Sequence, residues 1–272
     1  MDQIIIKDLE IFGYHGVFEE EAFLGQKFIV STRLFLDTRK AGKTDDLQAS
    51  LDYSEVCRVI KKLVETERYQ LIERLAEAIA EKLLLTYALL QSVEITVKKP
   101  WAPVLLPMDT VGVKILRGWH KVYLSIGSNM GDREGYLDLA IDRLNDLPDT
   151  KVTAVSDYIE TEPYGDVEQD MFLNGALEIE TLKTPGELLA VAQGIEKEAH
   201  RERLIHWGPR TLDIDILFYD DLILKEENLI IPHIEISKRE FVLEPLCAIA
   251  PYYMHPVFHK SVMEMLEEVR CK

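Results

Sequence analysis

The stretch HWGPRTLDIDI, residues 206–216, joins a Gly-Pro turn to a run in which apolar and acidic residues alternate. Asp213 and Asp215 are two positions apart, and side chains at i and i+2 of a strand point to the same face. Two adjacent carboxylates repel unless a positive charge lies between them, and hard oxygen ligands with open positions suit Mg²⁺. A solvated face of an edge strand explains the same spacing, so the spacing alone does not decide between the two interpretations.

Basic residues gather just upstream of this pair, in the more acidic half of the chain. They are Lys197, Arg201, Arg203 and Arg210. Guanidinium groups match phosphate oxygens, and cations beside a metal-binding carboxylate pair are typical of phosphoryl-transfer sites. A helix in which neighbouring glutamates pair these bases is the other interpretation. The sequence has neither a Gly-x-x-x-x-Gly-Lys-Ser/Thr loop nor a kinase glycine-rich loop, so ATP would bind through a different fold.

Outward from this stretch, the periodicity of apolar residues predicts strands and helices in both halves of the chain. In the first half, strands are expected at 4–11, 26–36, 93–97 and 111–116, with helices at 53–69 and 72–87. In the second half, strands are expected at 122–126, 153–158, 175–180 and 211–218, with helices at 133–147, 185–201 and 240–250. The pattern breaks at 117–121, which predicts domains at 1–118 and 119–272. Each is predicted to be an α+β domain, a mainly antiparallel sheet with helices on one face.

Composition narrows the range of partners. The first 118 residues carry a net charge of −2 and the remainder −15. So acidic a second half argues against nucleic acid, whose binding needs a basic surface, and against an anionic membrane. The three cysteines, Cys57, Cys247 and Cys271, lack paired spacing, and no apolar run approaches the ~18 residues that span a bilayer. We expect a cytoplasmic protein without a disulfide scaffold.

The opening stretch also carries a family resemblance. Residues 207–215 resemble the signature of hydroxymethyl-dihydropterin pyrophosphokinases, and the likeness extends over residues 121–270. The other matching segments are Ile126-Gly127-Ser128-Asn129, Phe172-Leu173-Asn174, Pro232-His233 and Arg239-Glu240-Phe241. These enzymes transfer pyrophosphate from ATP to the hydroxymethyl group of the pterin and release AMP. The resemblance implies a ferredoxin-like domain, ATP as co-substrate and two Mg²⁺.

The resemblance further implies roles for individual residues. Grouped by ligand, these are Asp213 and Asp215 for Mg²⁺; Arg201 and Arg210 for the triphosphate and for catalysis; Glu196, Trp207, His233 and Arg239 for ATP; and Asn174, Phe172 and Phe241 for the pterin. Asn174 would hydrogen-bond the pterin edge while the two phenylalanine rings sandwich the pterin. Trp207 would lie on a loop that closes over the site, whereas the sequence alone is equally consistent with a tryptophan of the core.

The first half has weaker motifs, each with an ordinary structural explanation when taken alone. Together they resemble dihydroneopterin aldolases over residues 1–117. The motifs are Gly13-Tyr14-His15-Gly16, Glu21 with Gly25-Gln26, Asp52-Tyr53, Leu71-Ile72-Glu73 and Lys99-Pro100-Trp101-Ala102-Pro103. These enzymes cleave dihydroneopterin to hydroxymethyl-dihydropterin and glycolaldehyde without a metal or Schiff base, because the pterin C=N group is an electron sink. A tunnelling-fold-like domain without a cofactor is implied.

This second resemblance also implies roles. Glu73 anchors the amino-pyrimidine edge, Lys99 is the general base for the side-chain hydroxyl, and Tyr53 helps to reprotonate the enol intermediate. Glu21 lies near the reacting groups. Because family members vary around the lysine, Lys98 remains open as an alternative base. In that family the site forms between subunits, so a homo-oligomer through the first half is expected.

The two resemblances point to consecutive reactions, since the product of the first is the substrate of the second. Three alternatives remain open: a non-catalytic sensor of metal and nucleotide, a monofunctional pyrophosphokinase whose first half only oligomerises, and a first half in which epimerase activity dominates. The sequence gives neither the oligomer number nor the relative placement of the domains. It also gives no indication that the intermediate is channelled.

Overall fold

The chain divides into two compact units in a computed structural model, which describes residues 2–163, 170–200 and 210–271. The N-terminal unit is Met1–Trp119 and the C-terminal unit is His120–Lys272. Within the described ranges, no helix is long and apolar enough to cross a membrane.

The N-terminal unit is an antiparallel sheet with helices on one face. In chain order its strands and helices are β1 (Asp2–Gly13), α1 (Glu19–Leu24), β2 (Gln26–Leu36), α2 (Arg39–Thr44), α3 (Tyr53–Thr66), α4 (Ile72–Thr86), β3 (Ser92–Lys99) and β4 (Val111–Gly118). The four strands are neighbours in sequence order, β1-β2-β3-β4. Burial alternates strictly along most of β2 and β3, so one face of the sheet packs on the core and the other face stays open.

Helices α3 and α4 cover the packed face. Buried Val56, Ile60 and Val64 recur along α3 at helical spacing and face the core. Asp52 caps the start of α3, because its carboxylate accepts the backbone N–H groups of the first turn, including that of Ser54 at 2.8 Å. The four strands and two helices predicted for this half are confirmed, and the structure adds the short helices α1 and α2.

The C-terminal unit is built on a second antiparallel sheet. Its strands and helices are β5 (His120–Ser128), α5 (Arg133–Asn145), β6 (Thr150–Val155), β7 (Ile159–Thr161), β8 (Phe172–Thr181), α6 (Pro185–Glu198), β9 (Asp213–Tyr219), β10 (Leu224–Lys225), β11 (Ile230–Ile231), α7 (Glu240–Ile249) and α8 (Val262–Arg270). The strand order is β6-β8-β5-β9, with β7 paired to β8, and β10 and β11 form a separate ribbon. The predicted α+β class is confirmed for both units.

The prediction that helices cover only one face is wrong for this sheet. Helices α5 and α6 share a core with Leu124 and Ile126 of β5, whereas α7 and α8 share a second core with Tyr123 on the opposite face. β5 is therefore buried along most of its length, as strands covered on both faces are. Each fully buried aliphatic side chain of such cores contributes about 1.5–3 kcal/mol.

The predicted strand at 153–158 is also corrected. β6 ends at Val155 and a separate strand, β7, begins at Ile159. Between them, the backbone N–H of Ser156 donates to the carbonyl of Ala176, and its hydroxyl accepts the N–H of Ala176 at 2.9 Å. In a continuous strand a backbone carbonyl would accept the N–H of Ala176. Here the hydroxyl of Ser156 accepts it instead, and the strand is interrupted.

Candidate active sites

The C-terminal unit aligns its candidate residues in rows across the strands β8, β5 and β9. Gly127 is paired with Asn174 on one side and with Asp213 on the other, and Ser125 is paired with Asp215. This register brings residues that are distant in sequence to one end of the sheet. They line one cleft. Its other lining residues are Thr161, Glu162, Phe172, Arg210, Arg239, Phe241 and Val242.

The two carboxylates lie on the same face of β9, as their spacing predicts. Arg210 forms an ion pair with Asp213, and Nε2 of His233 lies 4.0 Å from Oδ2 of Asp215. Burial, together with the charge of Asp213, raises the pKa of Asp215 despite the opposing effects of His233, Arg239 and Arg210. The carboxylate pair is therefore short of positive charge, and a bound cation would relieve the repulsion.

Each of two arginines in the cleft lies near an aromatic ring. The guanidinium of Arg210 is 5.9 Å from the centre of the Phe172 ring, and that of Arg239 is 5.8 Å from the centre of the Phe241 ring. Nε of Arg239 is buried without a hydrogen-bond partner. A buried donor of this kind is satisfied when a ligand supplies an acceptor. The cleft thus combines cations for an anionic ligand with flat surfaces for a ring.

Asn174 occupies a defined place in the wall of the cleft. Its Nδ2 donates to the hydroxyl oxygen of Thr161 at 2.8 Å, and the side chain is buried. A Cβ added at Gly127, on the neighbouring strand, would lie only 2.7 Å from Oδ1 of Asn174. A residue without a side chain is therefore required at position 127 to leave room for Asn174. The requirement cannot be read from the sequence, because it depends on the pairing of β5 with β8.

Two polar side chains support the backbone around the carboxylates. The buried carboxylate of Glu196, on α6, accepts the backbone N–H of Ile214 at 3.0 Å, between the two aspartates. Asn129 accepts the backbone N–H of Arg210 through Oδ1 at 2.8 Å and donates its own backbone N–H to the Arg210 carbonyl. Neither contact was predicted from the sequence, because both join residues that only the fold brings together.

Three assigned residues keep their predicted roles without a structural test. Arg201 and Trp207 lie outside the described residues. In the structure Glu196 accepts the backbone N–H of Ile214, and its contact with ATP remains a prediction.

The donor set of the cleft fits Mg²⁺. In the parts of the chain that the structure covers, no group of three or more His, Cys, Asp or Glu residues is arranged for a metal ion. Mg²⁺, however, commonly takes only one or two protein carboxylates and completes its octahedron with water and substrate phosphates. Asp213 and Asp215 supply such a pair, and the raised pKa of Asp215 reflects the same need for positive charge.

In the N-terminal unit, Lys99 and Glu21 form an ion pair that is nearly closed to solvent. Nζ of Lys99 lies 2.5 Å from Oε1 of Glu21, and the side chains are 12% and 9% exposed. Glu21 also accepts hydrogen bonds from Nε2 of Gln26 at 2.9 Å and from the backbone N–H of Phe18 at 3.1 Å. Burial opposes ionisation, but the hydrogen bonds from Lys99, Gln26 and Phe18 outweigh it and lower the pKa of Glu21.

Lys98 belongs to the opposite face of the sheet. Its Nζ lies 3.0 Å from Oδ1 of Asp8, on the open face. Successive residues of a strand point to opposite faces, so the two lysines cannot serve one site. Of the two candidate bases, the structure brings Lys99 and not Lys98 to Glu21.

Tyr53 and Glu73 are exposed at the starts of α3 and α4. Across the described ranges, no hydrogen bond or ion pair joins either residue to Lys99 or Glu21. Of the four residues that the aldolase resemblance groups together, one copy of the chain joins Lys99 and Glu21 directly.

The motif Gly13-Tyr14-His15-Gly16 near the N-terminus supports the ion pair between Lys99 and Glu21. His15 is buried; Nδ1 accepts the N–H of Tyr69 at 3.1 Å and Nε2 donates to the carbonyl of Val64 at 3.0 Å. Burial lowers the pKa of His15, which keeps the ring neutral. Gly16 has φ +152°, and an added Cβ would collide with the carboxylate of Glu21. The motif therefore leaves the space in which Glu21 is held.

Two family models match the chain. The model described as dihydroneopterin aldolase matches residues 4–116, and the model described as 7,8-dihydro-6-hydroxymethylpterin-pyrophosphokinase matches residues 123–251. Folic acid synthesis protein FOL1 of Dictyostelium discoideum is 31% identical over 292 residues, which cover 97% of this chain and 44% of that protein. The 2-amino-4-hydroxy-6-hydroxymethyldihydropteridine pyrophosphokinase of Bacillus subtilis is 46% identical over 127 residues, covering 47% of this chain and 76% of that protein.

A solved structure is also similar to the first half. The dihydroneopterin aldolase of E. coli, in complex with neopterin, is 35% identical with a TM-score of 0.41, and the match covers 43% of this chain and all of that one. The chain spans only 31% to 44% of the length of several curated relatives that it matches.

Proposed function

Because the chain belongs to the 7,8-dihydro-6-hydroxymethylpterin-pyrophosphokinase family and carries a dihydroneopterin aldolase domain ahead of that region, we propose that it catalyses two consecutive reactions of folate biosynthesis. The N-terminal unit cleaves dihydroneopterin to hydroxymethyl-dihydropterin and glycolaldehyde. The C-terminal unit transfers pyrophosphate from ATP to that pterin and releases AMP. The observation that carries the proposal is the cleft in which a carboxylate pair, two arginines and two aromatic rings meet.

In the C-terminal unit, the pterin ring stacks between Phe172 and Phe241 while Asn174 hydrogen-bonds its edge. This placement presents the hydroxymethyl oxygen to the β-phosphorus of ATP. The oxygen loses its proton to solvent as it attacks that phosphorus, the bond from the β-phosphorus to the α,β-bridging oxygen breaks, and AMP leaves. Such a reaction needs mainly positioning and stabilisation of charge.

The charges of the cleft meet that need. Arg210 and Arg239 stabilise the phosphate oxygens, and His233 adds a donor beside Asp215. Asp213 and Asp215 would hold Mg²⁺, two ions by the family resemblance, and the bound metal would supply positive charge for the phosphate oxygens.

In the N-terminal unit, Glu73 binds the amino-pyrimidine edge of dihydroneopterin. Glu21 fixes the position of the Lys99 amino group and takes a proton from it, and the neutral amine then accepts the proton of the side-chain hydroxyl. The carbon–carbon bond then breaks, its electrons pass into the pterin C=N group, and glycolaldehyde leaves. Tyr53 helps to return a proton to the enol.

We further propose that this site is completed by a second copy of the chain. Tyr53 is 61% exposed and Glu73 is exposed, and among the described residues no hydrogen bond or ion pair joins either of them to Lys99 or Glu21 of its own copy. An equimolar mixture of Lys99→Ala and Glu73→Ala, allowed to exchange subunits, should therefore regain aldol cleavage, because some hybrid sites contain both native residues. A mixture that stays inactive, together with a monomeric mass by light scattering, would contradict the shared site.

The proposed function is tested by a product assay with dihydroneopterin, ATP and Mg²⁺. Glycolaldehyde, AMP and a pterin pyrophosphate are expected together. AMP that appears only when hydroxymethyl-dihydropterin is supplied would leave the C-terminal activity and reduce the first half to an oligomerisation module. No AMP with either pterin would overturn the proposal.

A further inference from the structure

A polar cluster on the open face of the N-terminal sheet joins three strands. It consists of Asp8 on β1, Ser31 on β2 and Lys98 on β3. Nζ of Lys98 donates to Oδ1 of Asp8 at 3.0 Å, and the hydroxyl of Ser31 donates to the same oxygen at 3.3 Å. The Ser31 oxygen also accepts the backbone N–H of Asp8 at 2.9 Å. These bonds are compatible, because a hydroxyl can donate and accept at once.

The cluster lies on an irregular point of β1. The register of β1 against β2 shifts between Ile6 and Leu9, and Asp8 has φ +55°. Left-handed backbone costs a residue with a side chain energy, so it persists where local contacts hold it. Here Ser31 accepts the N–H that the irregularity removes from the ladder. Such irregularities fix strand register and redirect neighbouring side chains.

Lys98 and Lys99 are the last two residues of β3, and they face opposite sides of the sheet. Asp8 holds Lys98 from the open face, while Glu21 holds Lys99 from the packed face. The two ion pairs together fix how the strand end is rotated about its own axis. We propose that Lys98 and Asp8 are positioning residues for aldol cleavage, because their ion pair keeps Nζ of Lys99 at Glu21. The inference rests on the proposed aldolase function of this unit.

The Lys98 and Asp8 side chains are 37% and 44% exposed, so their ion pair adds little to stability. Its loss should appear in turnover and not in the melting temperature. Lys98→Met and Asp8→Asn should each lower kcat for glycolaldehyde release about 10-fold, with KM nearly unchanged. The double variant should be no worse than either single one, because both act through one contact. Lys98→Arg should restore most of the rate.

Lys114→Met is the matched control, since Lys114 pairs with Glu94 at 2.8 Å on the same face and does not adjoin Lys99. Its kcat should equal that of the wild type. Wild-type kcat in Lys98→Met or Asp8→Asn overturns the inference. Activity in Lys99→Met, with none in Lys98→Met, overturns it as well, because Lys98 would then be the base.

A second measurement does not depend on turnover. Lys99 is nearly enclosed, so its amine should react slowly with an acetylating reagent, as followed by mass spectrometry. Asp8→Asn should raise that rate several-fold, whereas Lys114→Met should not. Unchanged protection in Asp8→Asn overturns the inference. A wild-type chain that releases no glycolaldehyde would contradict the proposed function, and the acetylation rates would still decide whether Asp8 positions Lys99.

Discussion

At the scale of single residues, Gly16 leaves the space that the carboxylate of Glu21 occupies. An added methyl group would collide with that carboxylate, and φ is +152°. Gly16→Ala is therefore expected to move Glu21 away from Lys99 and to lower aldol cleavage at least about 10-fold. AMP release with supplied hydroxymethyl-dihydropterin, measured on the same preparation, should not change. Gly42→Ala is the control, because no atom lies within 4 Å of its added Cβ; an equal loss there would refute the steric reason.

Gly127 has the same relation to Asn174 in the other unit. Its added Cβ would lie 2.7 Å from Oδ1 of Asn174. Gly127→Ala should raise the KM for hydroxymethyl-dihydropterin about 10-fold and leave the KM for ATP nearly unchanged, since only the pterin contact is disturbed. Gly194→Ala, where no atom lies within 4 Å, should leave both constants at their wild-type values. An unchanged pterin KM in Gly127→Ala would show that Asn174 does not need its present position.

The spacing of residues along the sequence predicted part of the two sites. The rest depends on contacts between residues that only the fold brings together. The shared face of Asp213 and Asp215 follows from their spacing on a strand. The choice between Lys98 and Lys99 was left open, although the alternation of Val93, Ile95 and Val97 places Lys99 on the apolar face of β3. The support that Gln26 gives to Glu21 depends on a turn that places it there, so no spacing rule indicates it.

At the scale of elements, a side-chain contact joins the start of β5 to the end of β9. Nδ1 of His120 lies 2.6 Å from Oδ2 of Asp220, and the N–H of Lys121 donates to Oδ1 at 2.9 Å. Burial opposes ionisation of Asp220, but the hydrogen bonds from His120 and Lys121 outweigh it and lower the pKa below the ordinary 3.8. A carboxyl group with a lowered pKa stabilises the fold above its unfolded pKa, and that stability is lost as pH falls through the folded value.

Asp220→Asn should therefore lower the Tm of the C-terminal unit at neutral pH, and the difference from the wild type should shrink below pH ~4. Both side chains of the pair are more than a third exposed, so the loss should be about 1 kcal/mol or less. Thermal unfolding of the full chain at several pH values measures the effect. A Tm difference that stays constant from neutral pH to pH ~3 would contradict the electrostatic cause.

Most of the longer strands and helices were predicted from the sequence, but the last helix and the second helical layer were not. The periods of β2, α3 and α4 match their burial, because each has one buried side. Helix α8, of nine residues, was not predicted, although Ser261 and Glu264 form a capping box at its start and its buried side packs on α7. The two-sided burial of β5 likewise depends on that second helical layer.

At the scale of the whole molecule, each unit has its own sheet, its own core and its own candidate site. Asp213→Ala should reduce AMP formation more than roughly 100-fold, since even groups that only support metal ligands are worth 10- to 100-fold. Aldol cleavage by this variant should be normal. Lys99→Ala should show the reverse pattern, with glycolaldehyde release lost and pyrophosphoryl transfer intact. Loss of both activities in either variant would indicate one shared site.

The same two variants test how the intermediate passes between the units. An equimolar mixture of Asp213→Ala and Lys99→Ala contains every native site, but on different chains. If hydroxymethyl-dihydropterin passes through solution, the mixture should convert dihydroneopterin and ATP to AMP after a lag, at about half of the wild-type steady rate, because half of each kind of site is active. A lag abolished by added hydroxymethyl-dihydropterin would establish release of the intermediate. A mixture that makes AMP only when that pterin is supplied, while glycolaldehyde still forms, would contradict free exchange and require transfer within one chain.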